Sequence, residues 1–113
     1  MRLRRGSSTG AKGSASLFAA LGDETRLELV RRLCHAGPMS ITRLSAGANV
    51  TRQAITKHLR VMEGAGLVHS HRHGRESVWQ LDQQHLEAAR RYLETISKQW
   101  DDALARLRSF VED

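Results

Sequence analysis

Ile41-Thr42-Arg43-Leu44-Ser45-Ala46-Gly47-Ala48-Asn49-Val50-Thr51-Arg52-Gln53-Ala54-Ile55-Thr56-Lys57-His58-Leu59 is the stretch on which the reading of this chain turns. Ile41 and Leu44 lie three residues apart, the apolar pattern then breaks, and Ile55, Leu59 and Met62 resume it at i, i+4 and i+7. That spacing predicts two short helices packed across a tight turn. Ser40 is placed to cap the first helix and Thr51 the second, because a short hydroxyl side chain accepts from the N–H groups that a first turn leaves unpaired. Ser45 is small enough to let the second helix approach closely. Asn49 is expected to fill the turn in a left-handed backbone, which Asn tolerates better than most residues, and Val50 to plug the core beneath it.

The other side of the second helix presents Arg52, Gln53, Thr56, Lys57 and Arg60, with His58 near the boundary. A polar and basic face at a helix N-terminus suits the major groove of double-stranded DNA: Arg pairs with guanine, Gln with adenine, and Thr, Lys or a capping hydroxyl with phosphates. Ser40, Thr51, Arg52, Gln53, Thr56, Lys57, His58 and Arg60 are therefore candidate DNA-binding residues. An ordinary solvated helix face is the alternative, and the coincidence of charge with the turn pattern favours the groove. Eighteen Lys and Arg against twelve Asp and Glu give a net charge of +6, in keeping with a polyanionic partner.

Beyond this unit, Gly64 and Gly66 stop the helix, and Leu67 to Arg72 and Ser77 to Leu81 read as two strands around His73-Gly74-Arg75-Glu76. This predicts a hairpin whose Arg72, His73 and Arg75 meet the DNA backbone. Gly64-x-Gly66 leads into a strand and so lacks the context of a phosphate-binding loop. His69, His71 and His73 share one strand face, but neighbours on that face stand roughly 6.5 Å apart, too far for all three to reach one zinc. No metal site and no cofactor is assigned.

The last segment carries Leu86, Ala89, Leu93, Ile96, Trp100, Ala103, Leu107 and Phe110 in alternating steps of three and four. Helix pairs use this spacing, and a chain of 113 residues has little core with which to cover so long a stripe. We expect a homodimer seam anchored by Trp100. Glu87 with Arg91, Glu94 with Lys98, and Asp102 with Arg106 are placed for i,i+4 ion pairs on its other faces.

On the N-terminal side, Asp23 caps a predicted helix whose Leu27, Val30 and Leu33 form one face, with Leu29 and Cys34 beside it. Cys34 reads as a small core residue, and as the lone cysteine it excludes an intrachain disulfide. Residues 1–15 contain Arg2, Arg4, Arg5 and Lys12 in a Gly/Ser/Thr-rich setting and read as a disordered basic tail, or as an arm touching DNA. The resulting organisation is a tail over 1–15, a winged helix-turn-helix domain over 16–82 and a dimerisation helix over 83–113, mainly α with a small β-hairpin. No apolar run reaches the length of a membrane span, and the basic start lacks an apolar signal core, so a cytoplasmic location is expected.

Several short motifs together resemble the ArsR family of winged-helix repressors: Leu21-Gly22-Asp23-Glu24-Thr25-Arg26-Leu27, Val50 to Leu59, Glu63-Gly64-Ala65-Gly66-Leu67-Val68 and the Gly74-Arg75 wing. The resemblance implies a homodimer joined through terminal helices, a recognition helix starting near Thr51, and repression at an inverted repeat. The cysteine-bearing helix of the family's metal sensors has no match in Ile41 to Ser45, and Asp82 with His85 lacks the spacing of the other family metal site. The resemblance thus leaves the effector unidentified. A metal- or redox-responsive repressor using His69, His71 or Cys34 is one alternative, and a protein-interaction adaptor with the helix-turn-helix as scaffold is another. No paired carboxylates, nucleophile with base, or phosphate loop marks an enzyme.

Overall fold

The computed structural model describes residues 11–112. They form α1 (Ala11–Leu21), α2 (Glu24–Ala36), β1 (Met39–Ser40), α3 (Ile41–Ser45), α4 (Arg52–Gly64), β2 (Val68–His73), β3 (Glu76–Leu81) and α5 (Gln83–Glu112). Each helix from α2 onward begins at a side chain that accepts from its first turn. Asp23 accepts from the Arg26 N–H at 2.9 Å, Ser40 from that of Arg43 at 3.2 Å, Thr51 from that of Ala54 at 3.1 Å, and Asp82 from that of His85 at 3.0 Å. Such caps contribute about 1 kcal/mol each.

The core is one cluster. Ile55, Leu59 and Met62 of α4 meet Leu44 of α3, Leu29 and Leu33 of α2, Leu17 and Ala20 of α1, and Met39, Val68 and Trp79 of the sheet. The three α4 positions are those the sequence spacing selects. Strand order is β1-β3-β2, all antiparallel, with Met39 opposite Trp79 and His73 opposite Glu76, so Gly74 and Arg75 make the hairpin turn. The mainly helical fold with its hairpin is the expected winged helix-turn-helix. The two-residue strand β1 is an addition to the elements that the sequence pattern predicts.

Five local expectations are corrected. Helix α1 begins at Ala11, so residues 11–15 are helix and not tail; Ser14, Leu17 and Ala20 share its buried side and tie it down. The rest of the expected tail, including Arg2, Arg4 and Arg5, lies outside the described residues. In α2 the buried pair is Leu29 and Leu33, while Leu27 is 48% exposed and Cys34 is exposed. Leu27 and Cys34 sit seven apart on a side of α2 that neither the other helices nor the sheet covers, so Cys34 is a surface thiol.

In the turn between α3 and α4, no residue other than glycine has positive φ, and Gly47 at +73° takes the left-handed position assigned to Asn49. Without a Cβ, Gly47 bends there at no steric cost. Val50 is 36% exposed and stands on the rim of a concavity lined by Leu29, Leu44 and Ile55 instead of plugging it. Another glycine is required for a different reason: a Cβ on Gly66, at φ +82°, would lie 2.7 Å from the His85 ring. Gly66 thereby lets the start of α5 sit against the end of α4. No helix among the described residues is long and apolar enough to cross a membrane.

Candidate nucleic-acid interface

Helix α4 is held by its apolar stripe, and what that stripe leaves outside is cationic. Arg52, Gln53, Lys57 and Arg60 are exposed, and Thr51 is exposed at the cap. Thr56 is half-buried, and its hydroxyl donates to the Arg52 carbonyl at 3.0 Å. Arg60 does more than face outward. Its guanidinium lies 5.3 Å from the Trp79 ring centroid and its Nη1 is 3.0 Å from Glu63 Oε1, tying α4 to the sheet that carries the hairpin. No helical periodicity in the sequence signals that tie, because Trp79 belongs to β3.

Two candidates are placed elsewhere. Ser40 is only 7% exposed, and its hydroxyl is occupied in capping α3. His58 is three residues after Ile55 and four before Met62, so helical geometry turns it to the flank of the buried stripe. There its Nδ1 stands 3.2 Å from Arg26 Nη1 and 3.8 Å from Asp23 Oδ2, at the start of α2. The Asp23 carboxyl is held below its usual range, first by the Arg26 backbone N–H, which burial partly opposes, and to a lesser extent by the charges of Arg26 and His58. Arg26 also donates through Nε to the Ala20 carbonyl, so one guanidinium joins α1, α2 and α4.

The charge pattern is one-sided: from Leu29 to Met62 there is no Asp or Glu, while Arg31, Arg32, Arg43, Arg52, Lys57 and Arg60 all fall inside that span. Arg72, His73 and Arg75 are exposed at the far end of the hairpin. His69, His71 and His73 are likewise exposed, and among the described residues no group of three or more His, Cys, Asp or Glu side chains is positioned to hold a metal ion. Asp82 and His85 are engaged in starting α5, with His85 Nδ1 2.9 Å from Asp82 Oδ1. Burial opposes ionisation of Asp82, and the hydrogen bonds from the His85 backbone and ring outweigh it, holding its pKa low.

Helix α5 divides in two. Leu86 and Ala89 pack on the domain's own core, Ala88 beside them is buried, and Tyr92 stacks on Phe18 of α1 at 6.4 Å between ring centroids. Leu86 and Ala89 are thus intrachain contacts, and Gly66 leaves the room that the first turns of α5 need against the domain. Past Tyr92 the stripe opens: Leu93 and Leu107 are exposed, Trp100 is 66% and Phe110 81% exposed, with Ile96 and Ala103 half-buried. Leu104 and Val111, outside the predicted stripe, are exposed beside it. The ion pairs on the outer face centre on Arg90, which joins Glu87 and Glu94; Glu94 therefore pairs backward to Arg90 and not forward to Lys98.

Residues 21–71 match a helix-turn-helix domain family. The chain is 36% identical over 95 residues to the HTH-type transcriptional regulator Rv2034 of Mycobacterium tuberculosis, covering 84% of this chain and 85% of that protein. Among solved structures it is similar to an ArsR-like transcriptional regulator from Rhodococcus sp. RHA1, with a TM-score of 0.71 and 39% identity over 88% of this chain and 92% of the other. The fold is also that of a homodimeric winged helix-turn-helix DNA-binding domain from Mycobacterium bovis, with a TM-score of 0.63 at 15% identity, covering 87% and 90% of the two chains.

Proposed function

The chain belongs to the ArsR-like family of helix-turn-helix transcriptional regulators, whose members here are regulators and not enzymes, and from that premise we propose that it is a homodimeric repressor acting on an inverted-repeat operator. The observation that carries the reading is the rigid seating of α4: a fully buried Ile55, Leu59 and Met62 hold Arg52, Gln53 and Lys57 outward on a segment free of acidic residues. In this reading Arg52 and Gln53 meet base edges, Thr51, Thr56 and Lys57 meet phosphates, and Arg60 braces α4 against the wing. Arg72, His73 and Arg75 at the hairpin end bind the backbone without regard to sequence.

The apolar face of α5 supports the dimer. Leu93, Trp100, Leu107 and Phe110 leave a contiguous exposed stripe that water disfavours and a second copy of the same helix would cover. The Mycobacterium bovis domain of the same fold is a homodimer, which agrees with this arrangement.

Repression follows if the dimer occupies promoter DNA in competition with transcription. Selection of bound duplexes from a random pool tests the reading. It should recover two inverted half-sites about one helical turn, roughly 10 bp, apart. Recovery of single unpaired sites would overturn the dimeric mode of binding.

A further inference from the structure

We propose that the cleft between the C-terminal half of α2 and helix α3 is a second phosphate site, one that takes a backbone phosphate of the DNA flanking the half-site held by α4. The proposal rests on the DNA-binding reading above and adds to it a contact made by neither α4 nor the hairpin. The cleft has a volume of about 240 Å³ and is lined by Arg31, Arg32, His35, Ala36, Met39 and Arg43. Its base is apolar, since Met39 is buried in the core. Its walls bring four basic side chains from two helices around one small hollow.

The four differ in what they have left to give. Arg32 donates through Nη1 to the Leu44 carbonyl at 2.6 Å and through Nη2 to the Arg43 carbonyl at 2.9 Å. It closes the open end of α3 and fixes one wall of the cleft. Arg31 uses only Nε, 3.2 Å from Glu28 Oε1, so both of its terminal nitrogens remain for an anion, and its side chain is exposed. His35 and Arg43 are exposed as well.

A basic residue in the last turn of α2 is expected from the helix dipole, which accounts for His35. It does not account for Arg43, which comes from α3 and converges on the same hollow. The nearest acids in sequence are Glu28, already paired with Arg31, and Glu63, paired with Arg60; between them lies no carboxylate to neutralise the group. Guanidinium forks match the oxygens of a phosphate, and a duplex held against α4 supplies phosphates at regular intervals on both sides of the contacted bases.

The test compares two duplexes, one trimmed to the two half-sites and one extended by one helical turn, about 10 bp, at each end. Affinity is measured by fluorescence anisotropy between about 50 and 200 mM salt for the full chain, for Arg31→Ala/Arg43→Ala and for Arg31→Lys/Arg43→Lys. Arg32 is left intact because it caps α3. The unsubstituted protein should bind the extended duplex more tightly. The alanine pair should lose that gain, on the order of tenfold, and its salt dependence should be shallower by about 0.9 for each phosphate no longer neutralised. It should bind the trimmed duplex as before, and the lysine pair should keep most of the gain. Equal losses on both duplexes, or none on the extended one, would overturn the site. Inorganic phosphate, added at matched ionic strength, abolishing the gain while leaving trimmed-duplex binding intact would assign the cleft to a free phosphate ligand and overturn the flanking-DNA contact. Failure of the unsubstituted protein to bind either duplex would instead overturn the DNA-binding reading itself, and this site with it.

Discussion

Helices α4 and α5 are both amphipathic, and they spend their apolar faces in opposite ways. In α4 the stripe Ile55, Leu59 and Met62 is wholly consumed by its own domain, so the polar side is what remains to meet a partner. In α5 the domain covers Leu86, Ala88 and Ala89 and then ends, leaving Leu93, Trp100, Leu107 and Phe110 in the open. The lesson is that periodicity marks a face to be buried but does not say by what. The covering partner is decided by how far the rest of the chain extends along the helix.

Breaking one helix should therefore fail differently from breaking the other. The largest effect is expected from Leu59→Ala, which removes a fully buried side chain from the centre of the cluster. It should lower unfolding free energy by about 2–5 kcal/mol, read as the midpoint of urea unfolding. A loss below about 1 kcal/mol would mean that α4 is not seated as described. Trp100→Ala should do the reverse. It should weaken the proposed dimer by about 2 kcal/mol or more, roughly thirtyfold in the dissociation constant measured by sedimentation equilibrium, while the helical content of the monomer stays close to unchanged.

The smallest effect concerns the link between α4 and the start of α2. Asp23 has its folded pKa depressed below the ordinary aspartate value, so its contribution is present above the unfolded pKa and is lost as pH falls through the folded one. Stability measured by thermal unfolding should drop on acidification below about pH 4. Asp23→Asn should flatten that part of the profile. An unchanged acid limb in the variant would remove Asp23 from this account.

The features legible in the sequence are those settled by a residue and its near neighbours. Asp23, Ser40 and Thr51 cap because a short oxygen-bearing side chain meets N–H groups three residues on, which needs no tertiary knowledge. The α4 stripe is legible because only one apolar face exists there. In α2 two overlapping stripes fit the helical period, and the packing of α3, α4 and the sheet selects Leu29 and Leu33 over Leu27. Cys34 follows Leu27 to the surface.

His58 and Arg60 show the same limit within the candidate site. Both look like groove-facing side chains when α4 is drawn alone. One is drawn to Asp23 and Arg26 and the other to Trp79, partners that the sequence holds far away. Strand β1 is hidden for that reason too, since Met39 and Ser40 become a strand only by pairing with Trp79 and Val78.

The central claim is that the outward side of α4 is what holds duplex DNA. Its most direct test is Arg52→Glu/Lys57→Glu, two exposed positions on α4, with circular dichroism to verify the fold and anisotropy on a selected duplex to read binding. The account predicts a folded protein whose affinity falls by at least about a hundredfold, since each reversal both removes a cation and adds a repelled anion. A folded double variant that binds the duplex as tightly as the unsubstituted protein would contradict it.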